Sequence, residues 1–284
     1  MNNNLTPIQK NVLIASIIGD GEITKIYPDS RRKNNSYREH YGKSQMEYRK
    51  WKKQFMGGLL YLTPRSNPLI SKSSPLFTKL FPLFYTPSGD KKIPLSLLSD
   101  CTLPHFLAIL YMDDGSLCIT TRINHKNKLI YLSPQIYLYL QNYPLNQLRS
   151  LKKHIKDTFH INLIISKIEN GHGYILRTTV VNEALKLLKL INPVTKTCSF
   201  MFYKTSWGYR LQKESQKYSK SYPDYQILTS SSNRVKPYSE EEINKMILLK
   251  KQQITDEEIA KRIGRTYWSV VYKLSDLRKR GIYL

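Results

Sequence analysis

The stretch that decides the fold is residues 107–115, which read Leu-Ala-Ile-Leu-Tyr-Met-Asp-Asp-Gly. A similar stretch, residues 13–21, reads Leu-Ile-Ala-Ser-Ile-Ile-Gly-Asp-Gly. Each is an apolar run preceded by a threonine that can cap a helix and a proline suited to its first turn. The two stretches predict matching helices, capped by Thr6 and Thr102, with Gly21 and Gly115 ending them at positive φ.

The segments that follow these two helices also correspond in outline. Strand-like stretches come first, then a helix, which in the first case is predicted over residues 46–60. A shorter helix over residues 75–84 follows in the first case, whereas further strands and a helix follow in the second. We therefore predict an α+β fold of two pseudo-symmetric αββαββα halves, residues 1–100 and 101–212, each with antiparallel strands.

A third unit is predicted at the C-terminus. Residues 213–237 are rich in Ser, Lys, Tyr and Asn without apolar periodicity, which is typical of a linker. Residues 238–284 predict three short helices, beginning with a capping box of Ser239 and Glu242. Gly264 forms the turn before the third helix, which is the helix-turn-helix pattern. Trp268, Val271 and Leu274 are spaced as its core.

The composition narrows the class of protein. The 284 residues include 45 Lys+Arg and 21 Asp+Glu, a net charge of +24, which favours a polyanionic partner such as nucleic acid. No stretch of about 18 apolar residues predicts a membrane span, and no signal peptide is visible. Three scattered cysteines indicate no disulfide framework. We expect an intracellular location, either a bacterial or phage cytoplasm or an organelle matrix.

Asp20 and Asp114 occupy matching positions at the ends of the two apolar helices. A carboxylate is disfavoured at the negative end of a helix dipole, and two such carboxylates placed side by side would repel each other. A divalent cation between them removes this repulsion, and hard oxygen ligands suit Mg²⁺. In a basic protein this pattern indicates metal-assisted phosphodiester cleavage. The alternative is that each Asp-Gly pair is an ordinary turn.

Residues 13–21 and 107–115 resemble the two namesake motifs of single-chain LAGLIDADG homing endonucleases, and the resemblance covers roughly residues 5–207. It implies a catalytic divalent metal, Mg²⁺ or Mn²⁺, bound by Asp20 and Asp114, with Gly19 and Asp113 as neighbouring candidates. Residues 89–94 resemble the stretch that carries a catalytic lysine, which is Lys91 or, failing that, Lys92. By the same resemblance, Lys204 is its partner in the second half.

The family resemblance also implies a saddle of two β-sheets that lies in the major groove of a long DNA site. Polar residues of the predicted strands and their loops would then contact DNA. The candidates are Arg31, Arg32, Lys33, Asn34, Tyr37, Arg38, Lys43, Thr121, Arg122, Asn124, His125, Lys126, Lys128, Lys167 and Arg177.

The C-terminal unit resembles small Myb/SANT-like helix-turn-helix modules over about 45 residues. The resemblance implies that the start of its third helix meets base edges, and the candidates there are Arg265, Thr266, Tyr267 and Ser269. A protein-binding three-helix domain is the alternative.

Taken together, these features predict a site-specific, metal-dependent DNA endonuclease that cuts both strands, acts as a monomer on a long asymmetric site and serves intron homing. A non-cleaving regulator is the first alternative, because a LAGLIDADG-like domain followed by a helix-turn-helix also resembles the WhiA type. Such regulators have typically lost the carboxylates that are present here. An intron RNA maturase is the second alternative, with folded intron RNA as the partner.

Overall fold

The computed structural model describes residues 5–63, 68–168, 171–230 and 238–282. The chain divides into two compact units, residues 1–232 and residues 233–284. Within the described residues, no helix is long and apolar enough to span a membrane.

The first unit contains the predicted αββαββα order twice. The elements of the first half are α1 (Pro7–Ile18), β1 (Glu22–Ile23), β2 (Tyr37–Glu39), α2 (Met46–Gln54), β3 (Leu60–Leu62), β4 (Leu69–Ser71) and α3 (Pro75–Phe84). Those of the second half are α4 (Pro104–Asp114), β5 (Gly115–Asn124), β6 (Leu129–Leu138), α5 (Leu145–Phe159), β7 (Ile164–Lys167), β8 (Tyr174–Arg177) and α6 (Val181–Thr195). Short 3-10 helices lie at Lys43–Gln45, Leu95–Asp100 and Ser199–Met201.

Each half forms its own sheet. The strand order is β1-β2-β4-β3 in the first half and β5-β6-β8-β7 in the second, and all of these pairings are antiparallel. The α+β fold class predicted from the sequence is confirmed.

Helices α1 and α4 pack against each other in the middle of the first unit. Both are apolar on nearly every side, as expected for helices surrounded by protein. Residues 11–18 of α1 and residues 106–112 of α4 are buried. The two motif stretches are therefore the central helix pair between the halves.

The motif glycines act differently from our expectation. Neither Gly21 nor Gly115 has a positive φ. A side chain at Gly21 would come within 2.3 Å of the Tyr37 hydroxyl oxygen, and one at Gly115 within 2.1 Å of the Tyr111 ring. Both positions need glycine because neighbouring atoms approach too closely for a Cβ.

Two helices begin or end differently from the prediction. Thr6 and Gln9 form a capping box at α1, whereas Leu103 takes the N-cap position of α4, so Thr102 does not cap it. The helix predicted over residues 46–60 ends at Gln54, because Gly57 and Gly58 adopt positive φ values that a helix does not allow.

The stretch predicted as a linker is largely folded in the structure. It contains the end of α8 (Trp207–Ser221), which follows the short α7 (Phe202–Thr205), and β9 (Gln226–Thr229), which pairs in parallel with β6. Tyr218 donates a hydrogen bond to the Thr121 hydroxyl oxygen at 3.0 Å. Such tertiary contacts stabilise a helix whose polar composition alone does not favour it. The rest of the predicted linker, residues 231–237, lies outside the described residues.

The second unit contains three helices where the sequence predicts them: α9 (Glu240–Lys251), α10 (Asp256–Ile263) and α11 (Tyr267–Lys279). The Ser239–Glu242 capping box is present, and Gly264 has a φ of 67°. The predicted core position of Trp268 is wrong, since this side chain is 62% exposed. The buried residues of α11 are Val270, Leu274 and Leu277, so of the three predicted core residues only Leu274 is buried.

Candidate active site

The ends of α1 and α4 meet at the two motifs. A Cβ atom at Gly19 would lie 2.7 Å from the Asp113 Cβ, so the ends of the two motifs are in close contact at these residues. Asp20 and Asp114 each follow directly after one of them in the sequence. The structure therefore brings both predicted catalytic carboxylates to the junction of the two halves.

Lys91 and Lys204 occupy equivalent places at this junction. The Lys91 Nζ donates to the Gly19 carbonyl oxygen at 2.7 Å, and the Lys204 Nζ donates to the Met112 carbonyl oxygen at 2.8 Å. Burial lowers the pKa of both lysines, while the nearby carboxylates act in the opposite direction. Each helix end thus has one buried lysine supplied by its own half.

Asp114 lies in an environment that disfavours its negative charge. Burial raises its pKa to about 7, and the charges of Asp113 and Asp20 add to this rise, whereas Lys91 and Lys204 oppose it. Clustered carboxylates of this kind bind a cation readily, because the cation removes both the repulsion and the cost of burial.

This raised pKa predicts how the stability of the metal-free protein depends on pH. The folded state favours the protonated Asp114 carboxyl, so the associated stability is present below about pH 4 and is lost as the pH rises to about 7. We expect Asp114→Asn to remove this loss, which amounts to at most about 4 kcal/mol. In melting curves with a chelator, the melting temperature of Asp114→Asn minus that of wild type should increase from pH 5 to pH 8. The same difference for exposed Asp29→Asn should stay constant, and a constant difference for Asp114→Asn would contradict the prediction.

A buried ionic network from α2 surrounds the junction. The Arg49 Nη2 lies 2.6 Å from the Asp20 Oδ2, and the Arg49 Nε lies 2.7 Å from the Glu39 Oε1. The Lys52 Nζ contacts the Glu39 Oε1 and the Asp113 Oδ1, both at 2.8 Å. Sequence analysis missed Arg49, Lys52 and Glu39. The one available indication was that Arg49 and Lys52 share a helix face with the apolar ring of Tyr48.

The Asp113 carboxylate, which the resemblance offered as a neighbouring candidate for the metal, has several partners within the protein. Its side chain is fully buried, both of its carboxylate oxygens accept hydrogen bonds from Lys52, and Oδ1 also accepts one from the Tyr48 hydroxyl. Asp20, Glu39 and Asp113 have oxygens within 4.8 Å of one another. Arg49 and Lys52 neutralise this group, so we assign the cluster to the network.

The register of β5 and β6 decides which side chains are open to a ligand. Successive residues of a strand point to opposite faces of a sheet. The residues that share a face with Leu117 and Leu132 pack towards the helices, because both leucines are buried. We call the opposite face the open face; in this sheet it carries Ser116, Cys118, Thr120, Arg122, Tyr131, Ser133, Gln135 and Tyr137.

In this geometry three of the residues predicted to contact DNA do not lie on an open face. Tyr37 is fully buried and donates a hydrogen bond to Glu39. Thr121 pairs with Leu132, on the face that packs towards the helices. Lys167 is exposed at the end of β7, although it shares the face of the buried Leu176 rather than the open face. In each case the residue type suits DNA contact, but the strand turns the side chain the other way.

Other candidates have accessible positions. Arg38 and Arg177 lie on the open faces of the two sheets, where Arg38 pairs with Glu22 and Arg177 donates to Ser166. The exposed candidates in loops, 3-10 segments and the β5–β6 hairpin are Arg31, Lys33, Lys43, Lys126 and Lys128.

Four further candidates already have partners within the protein. Arg32 donates to the hydroxyls of Thr24 and Ser36, and Asn34 accepts from Thr78. Asn124 accepts from the Asn127 backbone, and His125 bonds the Tyr225 hydroxyl.

The C-terminal candidates are mostly engaged within their own unit. Arg265 is 10% exposed and pairs with Glu242 at 2.7 Å, Thr266 caps α11, and the Ser269 hydroxyl bonds Tyr238. The Arg265 guanidinium is therefore held by an internal ion pair, and base reading by it stays a prediction. Tyr267 is exposed, and its ring contacts that of Trp268.

The fold described above is similar to that of solved homing endonuclease structures. No curated protein sequence matches the chain. The solved structure of the homing endonuclease I-WcaI bound to its DNA recognition sequence superposes with a TM-score of 0.50 at 20% identity, covering 71% of this chain and 87% of that chain. The I-SmaMI LAGLIDADG homing endonuclease bound to cleaved DNA gives a TM-score of 0.48 at 13% identity, covering 78% and 94%. The first of these similarities shows the shared fold.

The model of the LAGLIDADG DNA endonuclease family matches residues 10–184. This range includes both motifs, strands β1 to β8, Lys91 and the Arg49 network. Because the match extends over more than half of the sequence, the chain belongs to the LAGLIDADG DNA endonuclease family.

Proposed function

We propose that this protein is a site-specific homing endonuclease that cuts both strands of DNA with a divalent metal held by Asp20 and Asp114. The observation that carries the proposal is the meeting of the two aspartates at the junction of two similar halves. Each half offers one carboxylate, one buried lysine and one sheet with an open face. Such duplication within one chain suits a monomer acting on the two strands of a long, asymmetric DNA site.

The residues at the junction fit a hard divalent cation. The Asp20 side chain is 30% exposed, and Arg49 contacts only one of its two oxygens among the described residues. Asp114 is held where its own negative charge is disfavoured. Oxygen ligands of this kind suit Mg²⁺, and Mn²⁺ as a substitute. When bound, the metal polarises the phosphate and activates water for attack.

The protein's own groups have separate tasks in this chemistry. Asp20 and Asp114 hold negative charge at the two helix ends. Lys91 and Lys204 are anchored on backbone carbonyl oxygens, which places an ammonium group beside each centre to stabilise charge that develops on the phosphate. Their lowered pKa values also make proton transfer easier than for an exposed lysine.

The open faces of the two sheets are the proposed DNA-reading surfaces. Arg38, Arg122 and Arg177 are suited to bidentate contacts with guanine in the major groove, while exposed loop lysines bind phosphates. The net charge of +24 supports strong, salt-dependent attraction to DNA. The C-terminal unit would add affinity as a tethered second module.

The sheet register predicts opposite results for two adjacent residues. Arg122→Ala should weaken binding to the target duplex by roughly tenfold or more, because it removes an open-face contact. Thr121→Val should leave binding unchanged, since Thr121 faces α8. Titration of labelled duplex at fixed salt, with Ca²⁺ in place of Mg²⁺, measures both affinities. Equal losses for the two variants would contradict the assigned register.

A cleavage assay tests the function directly. The purified chain is incubated, with and without Mg²⁺, with duplex DNA spanning the insertion site of its own gene, with the gene removed. We expect double-strand cuts at one position that require Mg²⁺. Sequence-dependent binding without cutting, even with Mn²⁺, would contradict the proposal, and folded intron RNA would be the next ligand to test.

A further inference from the structure

The two helix ends differ in one feature: a buried arginine contacts only the first. The Arg49 Nη2 lies 2.6 Å from the Asp20 Oδ2, and its side chain is 1% exposed. Contacts with groups on α2 and β2 hold this guanidinium in place. Its Nε lies 2.7 Å from the Glu39 Oε1, and its plane lies over the Tyr48 ring, 4.6 Å from the centroid.

The second helix end lacks this contact among the described residues. Among the described residues Arg49 forms ion pairs with Asp20, Glu39 and Asp113, and no ion pair joins an arginine to Asp114. The charges that act most strongly on the Asp114 carboxyl are those of Asp113, Asp20, Lys91 and Lys204. Helix α5 does carry an arginine that corresponds to Arg49 of α2, namely Arg149 in the matching Leu148-Arg149-Ser150-Leu151 stretch. Its side chain is exposed, however, whereas Leu148 and Leu151 are buried.

The lysines serve as an internal comparison, because they are arranged similarly at both ends. The match is not exact, since Lys91 contacts the Gly19 carbonyl oxygen at 2.7 Å, whereas Lys204 contacts that of Asp113, the residue that matches Gly19, only at 3.5 Å. Lys91 and Lys204 each donate to a backbone carbonyl oxygen of the motif in their own half. The inequality of the two centres therefore comes from α2, through Arg49 and the Glu39, Lys52 and Asp113 groups that fix it.

We propose that Arg49 is a positioning residue for the Asp20 centre alone, so that the two DNA strands are cut by unequal centres. By binding Oδ2, Arg49 fixes the carboxylate plane and leaves Oδ1 directed to the ligand. In the described part of the chain Asp114 has no equivalent arginine contact, so its orientation depends on its own backbone and on the metal. This inference rests on the proposed endonuclease activity.

The first test resolves the cutting of the two strands. A target duplex carrying a different label on each strand is cut by wild type, Arg49→Lys and Arg149→Lys. Lysine keeps the positive charge but loses the forked contact. Losing a group that orients a metal ligand typically costs 10–100-fold, so Arg49→Lys should slow one strand by about that factor and leave the other nearly unchanged. Arg149→Lys should slow neither strand. Equal slowing of both strands by Arg49→Lys, or of neither, would overturn the proposal.

A second test uses only wild-type protein, so its result does not depend on whether a variant folds. At limiting Mg²⁺, nicked duplex should accumulate, with the same strand always cut first. Cutting of both strands at equal rates at every Mg²⁺ concentration would overturn the proposal that the two centres are unequal. Absence of any cut by wild type at saturating Mg²⁺ would instead reject the proposed function.

Binding of Mn²⁺ gives a readout separate from activity. Free Mn²⁺ is measured by electron paramagnetic resonance as it is titrated into wild-type and Arg49→Lys protein. We expect Arg49→Lys to weaken one class of sites by about 10–100-fold and to leave a second class intact. Unchanged affinity at all sites, or an equal loss at all sites, would contradict the assignment.

Discussion

Replacing either motif aspartate by asparagine is expected to abolish cleavage while leaving DNA binding largely intact. Asp20→Asn and Asp114→Asn keep the size of the side chain but remove a negative ligand from the metal. The metal supplies several kcal/mol of transition-state stabilisation, so a loss of roughly 10³-fold or more in single-turnover rate should follow. Affinity, measured with Ca²⁺, should change by less than a factor of a few, because the open sheet faces are untouched.

Asp113→Asn is the informative comparison for these variants. Asp113 lies next to Asp114, but its carboxylate binds Lys52 and Tyr48 rather than facing a ligand. The Asp113→Asn variant should have a lower melting temperature than wild type. The Asp114→Asn variant should have a higher one in metal-free protein above pH 7. Full activity in Asp114→Asn together with loss in Asp113→Asn at unchanged stability would show that the catalytic aspartate has been assigned to the wrong position.

The second large effect concerns folding. Lys52→Met should destabilise the first unit by about 3–5 kcal/mol, which corresponds to a drop of roughly 10 °C in melting temperature. The Lys52 ammonium is fully buried and contacts both Glu39 and Asp113. Removing it leaves two buried carboxylates with Arg49 as the remaining nearby cation, and an unpaired buried charge is far more costly than the loss of a surface ion pair.

Lys53→Met provides the matched control for this prediction. Lys53 is the next residue of α2 and is exposed, so its replacement should change stability by less than about 0.5 kcal/mol. Thermal and urea unfolding of both variants measures the difference. Equal stability of Lys52→Met and Lys53→Met would contradict the buried network.

The central helices and the order of elements could be predicted from the sequence. Apolar runs over residues 13–18 and 107–112, each ending in Asp-Gly, indicate two buried helices, because few positions offer a polar face. The apolar spacing of Leu148, Leu151 and Ile155 likewise indicates a helix, and these residues form the buried face of α5. The resemblance of these stretches to a known family then provided the saddle of sheets and the roles of Lys91 and Lys204.

Other features depend on contacts that sequence patterns do not contain. β1, β3 and β4 are two or three residues long, too short for a period-2 pattern. Thr121 and Arg122 are equally polar, and only the pairing with β6 decides that the arginine is on the open face. From the sequence, Arg49 and Lys52 are expected to be surface charges. They are buried because the fold places Glu39 and Asp113 next to them. β9 folds because β6 offers it an edge.

The most direct test of the account is to locate the metal. Crystals of the protein with its target duplex and Mn²⁺, measured at a wavelength where manganese scatters anomalously, reveal the ion positions independently of any mechanism. We predict anomalous peaks in contact with the carboxylates of Asp20 and Asp114, at the meeting point of α1 and α4. Peaks within the Glu39–Asp113 cluster, or only at sites away from both aspartates, would contradict the central claim.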